Sequence, residues 1–147
     1  MSYEDILKRC LIQDEGCRKE PYLDTEGHWT IGIGHNLDAH PLPKDWTIPL
    51  TDEQIDKLFH VDIFVAIKAA QRIFRGCFDD LSDNRKAAVV NLLFNMGETT
   101  FSHFVTTIAA IRNGMWEAAG AGLKNSKWYG QVQRSRSERI IEQITKG

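Results

Sequence analysis

A chain of 147 residues, 42% hydrophobic and 26% charged, has the size and balance of one globular domain with a real core. Its formal charge of −2 excludes a global basic field that would draw the whole molecule onto nucleic acid or anionic lipid. Three cysteines without metal-ligand spacing argue against a disulfide scaffold and a structural zinc site, and read as reduced thiols, two of them on apolar faces.

Tyr3, Ile6, Leu7, Cys10 and Leu11 fall on one stripe of a 3.6-residue repeat. They predict a first amphipathic helix over residues 3–14 that ends near Asp14 or Glu15, with Gly16 at the left-handed stop position. Acidic residues and spaced apolar residues make this segment neither a signal peptide nor a membrane anchor, so the expected location is a cytoplasm. From Arg18 the period changes to two. "EPYLD" and "HWTIGIGH" predict the arms of a β-hairpin, and "DTEG" supplies the aspartate and glycine that a type I turn favours. Tyr22, Asp24, His28 and Thr30 then share one face, while Trp29, Ile31 and Ile33 face the core.

Residues 36–49 contain three prolines and little periodicity, which predicts an irregular loop packed down by Leu42, Trp46 and Ile48. Thr51 with Gln54 forms a capping-box pattern. It opens an apolar stripe through Phe74, a helix of about 24 residues or roughly 36 Å. Beyond it four further segments read as helical, punctuated by Gly97, Gly114 and Gly130. The expected fold is α+β, predominantly α: one domain over 1–147, with a small hairpin lobe at about 16–50, a connecting helix at about 52–75, and a helical lobe at about 77–147 that the first helix joins.

Glu15 sits at the negative pole of its helix, a place that favours a carboxyl's protonated form. An acid there, a carboxylate at Asp24 and a hydroxyl at Thr30 on one cleft would be equipment for hydrolysing an acetal. A glutamate at a helix end and an aspartate opening a turn are equally ordinary surface residues, and spacing alone leaves both readings open.

The stretch "DEGCRKEPYLDTEGHWTIGIGH" resembles the signature of the phage-type lysozymes, the muramidases of glycoside hydrolase family 24. "LTDEQIDKLFHVDI", "LLFNMGETTFSHF" and "SKWYGQVQRSRSER" extend the likeness over nearly the whole chain. The resemblance implies a lysozyme-like fold and hydrolysis of the β-1,4 bond between N-acetylmuramic acid and N-acetylglucosamine in peptidoglycan. Glu15 would be the general acid, Asp24 the second carboxylate and Thr30 the holder of the attacking water. It implies inversion, with the carboxyls roughly 6.5–9.5 Å apart. Substrate contacts are implied for Tyr22, His28, Gly34, Asn95 and Gln131, with a core or capping role as the alternative for Asn95.

His35 is expected to form a structural ion pair with Asp62 rather than to act as a base or metal ligand. Glu98 with Arg134 or Arg136 would form a polar network behind the acid. Lys124, Lys127, Arg134, Arg136 and Arg139 read as a solvated basic face, with contact to anionic wall polymers as the alternative. Trp116, Trp128 and Tyr129 read as packing aromatics.

No metal or cofactor is expected. The implied partner is the peptidoglycan glycan strand, met by a monomer with no nucleic-acid role and no stable membrane insertion. The resemblance further implies accumulation in a bacterial cytoplasm before lysis and release through a separate membrane pore protein. The competing readings are a catalytically silent wall-binding module and a lytic transglycosylase. The short segment 36–49 departs from longer family members, which leaves cleft width and glycan-length preference open, with Leu37 to Trp46 expected at one rim.

Overall fold

The computed structural model describes residues 1–147, and they form seven α-helices and one small antiparallel sheet. The elements are α1 (Tyr3–Glu15), β1 (Arg18–Leu23), β2 (Trp29–Gly32), β3 (His35–Asn36), α2 (Asp52–Ile73), α3 (Asp83–Ser102), α4 (Val105–Arg112), α5 (Trp116–Lys124), α6 (Lys127–Gln131) and α7 (Arg134–Lys146). A single 3-10 turn, Phe78–Asp80, precedes α3. The chain divides into two compact units, one made of Met1–Leu7 with Ala66–Gly147 and the other of Lys8–Val65.

In the Lys8–Val65 unit, α1 ends where the Gly16 N–H meets the Ile12 carbonyl at 2.8 Å, with Gly16 at φ 81°. A residue with a Cβ resists that left-handed turn. The hairpin closes at Asp24–Gly27, with the Gly27 N–H on the Asp24 carbonyl at 3.1 Å and Gly27 at φ 81°. A third strand, too short for any periodicity to reveal, pairs His35 with Ile31 and Asn36 with Thr30. The Thr51 N–H donates to Gln54 Oε1 at 3.0 Å while the Gln54 N–H donates to Thr51 Oγ1 at 3.1 Å, the reciprocal capping box that opens α2. Cys10, Leu11, Ile31, Ile33, Leu50, Ile55, Leu58, Phe59 and Ile63 are buried.

Two expectations are corrected here. Trp29 is 48% exposed instead of facing the core, because the covered part of its sheet face begins only at Ile31. The loop is held not by Ile48, which is exposed, but by Leu50, whose side chain is buried and whose N–H donates to the Lys19 carbonyl at 2.9 Å. Residues 3–7 of α1 fall in one compact unit and residues 8–15 in the other. Lys8 pairs with Asp56 at 2.7 Å and lies over the Phe59 ring, tying the later turns of α1 to α2. Tyr3 packs edge-on against Phe78 and beneath Lys86, tying the first turn to the other unit.

In the Met1–Leu7 and Ala66–Gly147 unit, Ser82 caps α3 by accepting the Arg85 N–H at 3.2 Å. Gly97 kinks α3 at φ 81°, ψ 162°. Gly120 and Gly122 have no side chain to hold neighbours apart, so α5 lies close against Thr145 of α7 and Thr107 of α4. Gly130, expected as a break, lies inside the short α6. Arg85 donates from Nε to the Ile144 carbonyl at 2.8 Å and stacks on Trp116, which satisfies a free carbonyl in the last turn of α7. No helix is long and apolar enough to cross a membrane.

Candidate active site

Glu15 is the last residue of α1, and three neighbours fix it. Its main-chain carbonyl, which has no partner within a helix end, accepts the Tyr22 hydroxyl at 2.8 Å. Arg18 lies over the Tyr22 ring at 4.6 Å and so steadies the phenol. The Glu15 side chain packs on the bare Cα of Gly34, where an added Cβ would stand 2.8 Å from Oε2 and 2.9 Å from Cγ. Gly34 also holds φ 67°, so glycine is required twice.

Gly34→Ala is therefore expected to displace the Glu15 carboxyl. The left-handed backbone alone should cost about 1–3 kcal/mol. If Glu15 is the general acid that the resemblance implies, a shift of about 1 Å should lower turnover roughly 100-fold. Steady-state kinetics beside thermal melting would check this, and unchanged turnover in a merely destabilised variant would refute it.

Asp24 is anchored by one oxygen. Its Oδ1 accepts the Glu26 N–H at 2.9 Å and the His28 N–H at 2.8 Å, while the main chains of Asp24 and His28 bond at 2.9 Å. This local hydrogen bonding is why aspartate suits the first turn position. Oδ2 lies 3.6 Å from His28 Nδ1, too long for a hydrogen bond.

Thr30 pairs with Tyr22 across the strands and is 3% exposed. Its hydroxyl donates to the His28 carbonyl at 3.0 Å. With that one proton committed, Oγ1 offers only lone pairs to any further partner, so it would orient a water by accepting from it. Burial raises the Tyr22 phenol above its ordinary range, and the negative charges of Glu15, Asp24 and Cys17 add to the rise against the opposing charge of Arg18. One phenol thus feels both candidate carboxylates.

Of the other expected substrate contacts, His28 is exposed beside Asp24. Asn95 accepts the Trp128 indole N–H at 2.9 Å, which leaves its amide N–H groups uncommitted to that bond. Gln131 is the exposed last residue of α6. His35 Nδ1 lies 2.8 Å from Asp62 Oδ2, and His35 Nε2 lies 2.8 Å from the His40 carbonyl.

The expected network of Glu98 with an arginine of α7 is replaced by another pairing. Arg72 of α2 grips Glu98 with Nε at 3.0 Å and a terminal nitrogen at 2.6 Å, a fork that the kink at Gly97 presents to it. Arg134 lies over the Tyr129 ring at 4.6 Å, and the Tyr129 hydroxyl donates to Glu138. Arg136 is buried and reaches Asn91 Oδ1 at 2.8 and 3.2 Å, so the expected basic face does not include it.

Sequence reasoning passed over Asn91, although a lone amide inside "AAVVNLL" is a signal that a buried donor must meet it. It also passed over the role of Arg18, for which no local pattern exists. No cluster of three or more His, Cys, Asp or Glu side chains is arranged to hold a metal.

The family model described as phage lysozyme matches residues 12–138, an interval that includes Glu15, Asp24 and Thr30. A protein of Dictyostelium discoideum named probable T4-type lysozyme 2 is 34% identical over 161 residues, covering 96% of this chain and 94% of the relative. Probable T4-type lysozyme 1 of the same organism is 31% identical, covering 99% of this chain and 95% of the relative. The peptidoglycan hydrolase gp36 of Pseudomonas phage phiKMV is 33% identical, covering 98% of this chain but 16% of that larger protein. With its helical majority, its small antiparallel sheet and a family match spanning most of its length, the chain belongs to the phage lysozyme family.

Proposed function

We propose that this protein is a glycoside hydrolase that cleaves the β-1,4 bond between N-acetylmuramic acid and N-acetylglucosamine in peptidoglycan, with inversion, and that it serves cell lysis. The observation that carries the reading is the division of labour in the hairpin: Asp24 is anchored through Oδ1 alone, and the only Thr30 proton is spent on His28. This pair is suited to hold a water by accepting both of its protons, which turns its lone pair outward.

In the reaction, Glu15 gives its proton to the glycosidic oxygen as the bond to the anomeric carbon breaks. The held water forms the new bond on the opposite ring face, and Asp24 Oδ2 takes the proton it loses. Tyr22, His28 and Gly34 contact the sugar at this centre, and Asn95 and Gln131 are further substrate-contact residues. The 147 residues work as one catalytic domain and as a monomer, without a cofactor. The enzyme accumulates in a bacterial cytoplasm and reaches the wall through a separate membrane pore protein.

The decisive measurement is the reducing end of freshly released fragments. N-acetylmuramic acid appearing first as the α-anomer in the proton NMR spectrum is the expected result. Initial β-anomer would overturn inversion, anhydro-sugar ends would mark a transglycosylase, and no released fragments would mark a silent binder.

A further inference from the structure

β1 does not advance evenly against β2. Arg18 pairs with Gly32 and Tyr22 with Thr30, so four steps of β1 run beside two of β2, and the register breaks between them. The extra residues form a bulge within Lys19, Glu20 and Pro21. Pro21 has no N–H to leave unpaired there, and the Lys19 carbonyl accepts the Leu50 N–H at 2.9 Å, which pins the bulge from outside the hairpin.

In an unbroken strand, residues four apart stand roughly 13 Å from each other. Held opposite Gly32 and Thr30, Arg18 and Tyr22 are only two strand steps apart, roughly 7 Å, and share one face. The Arg18 guanidinium carbon lies 4.6 Å from the centre of the Tyr22 ring, and the Tyr22 hydroxyl donates to the Glu15 main-chain carbonyl at 2.8 Å. Burial is the first cause of the raised Tyr22 phenol, but the opposed charges of Glu15 and Arg18 both reach it. A cation, a ring and a helix end thus form a chain. Its last link is the residue whose side chain packs on Gly34.

We propose that Arg18 is a positioning residue for the glycosidic reaction, placed by the β1 bulge to clamp the Tyr22 ring and, through the Tyr22 hydroxyl, the Glu15 end of α1. The inference rests on the hydrolase reading and deepens it: the clamp holds the acid by its backbone, and Gly34 holds it by its side chain. In this role Arg18 touches neither the sugar nor the water. It acts on kcat through the placing of Glu15.

The test is a cycle of Arg18→Gln, Tyr22→Phe and the double variant, assayed on a short soluble muroglycan tetrasaccharide. Arg18→Gln should lower kcat roughly 3- to 5-fold, the size of an exposed cation–ring contact, with KM unchanged. Tyr22→Phe keeps the ring beneath Arg18 but removes the hydroxyl that reaches Glu15. In that background Arg18→Gln should cost no further kcat, although it should still lower the melting temperature. A merely structural arginine would not show that split.

Unchanged kcat in Arg18→Gln would overturn the proposal, and so would a loss equally large in the Tyr22→Phe background, because Arg18 would then act without the hydroxyl. A raised KM at unchanged kcat would also overturn it and make Arg18 a substrate contact. The clamp has a readout that needs no turnover. In Arg18→Gln the Gly16 amide, bonded to the Ile12 carbonyl at the end of α1, should exchange with deuterium roughly 5-fold faster, and unchanged exchange would overturn the clamp. If the wild-type protein released no sugar fragments at all, the hydrolase reading would fail, while this exchange would still decide whether Arg18 holds the end of α1.

Discussion

Glu15→Gln is expected to remove lysis of a peptidoglycan suspension almost completely, by roughly 10³-fold or more, while circular dichroism stays native. General acid catalysis is worth about 10²–10⁴-fold, and an amide of the same shape cannot supply the proton. The substitution keeps the packing on Gly34, because Gln has the same heavy-atom outline. It also spares the Tyr22 bond, which is made to the main-chain carbonyl and not to the side chain. Loss of turnover in a protein that keeps its native circular dichroism separates Glu15 from Gly34, where stability should fall as well. Near-normal turnover in a folded Glu15→Gln protein would sink the assignment of the acid.

Much of this arrangement was legible in the sequence because short-range rules determine it. The α1 stop at Gly16, the turn at Asp24–Gly27 and the capping box at Thr51 each need only a few neighbouring residues. The placing of Tyr22 and Thr30 on one hairpin face follows from turn position and a period of two. The family resemblance added roles to Glu15, Asp24 and Thr30 that spacing alone left ambiguous.

What escaped depends on the folded surroundings rather than on local pattern. β3 is two residues long and exists only because Ile31 and Thr30 offer it a ladder. Trp29 has the right parity for the core, but parity tells only which face a residue takes, not how far along the strand that face is covered. Glu98 and Arg72 lie 26 residues apart, and only the folded positions of α2 and the Gly97 kink bring them into a fork. Gly34 was legible as part of a motif, but its contact with the Glu15 side chain, the reason that no Cβ fits, requires coordinates.

The second large effect is expected at His35 and Asp62, and it should be a stability effect with a pH signature. His35 is 5% exposed and Asp62 18%, so the pair is largely shielded from water. Both ring nitrogens of His35 face acceptors, Asp62 Oδ2 and the His40 carbonyl, each at 2.8 Å. Only an imidazolium can donate to both. Burial by itself lowers the His35 pKa, but the hydrogen bond to Asp62, the charge of Asp62 and the bond to His40 together outweigh it, and the net shift is upward from the ordinary 6.5. A pKa raised in the folded state contributes stability that is complete below about 6.5 and is lost as pH rises through the folded value.

Thermal melting of the wild-type protein should therefore decline from about pH 6 toward pH 9. Tyr3 and Tyr22, both raised from 10.0, titrate above that window. Asp62→Asn removes the anion and leaves the histidine buried, a loss of about 3 kcal/mol for a largely desolvated pair. For a chain of this size that is roughly 10 °C in melting temperature near pH 6. The variant should also lose most of the decline with pH. Turnover per folded molecule at 25 °C should change little, since the His35 ring is bonded to Asp62 and the His40 carbonyl and to none of the proposed catalytic groups. A wild-type melting temperature that stayed flat or rose from pH 6 to 9 would refute the imidazolium. A large drop in turnover with unchanged stability would instead make His35 part of the chemistry.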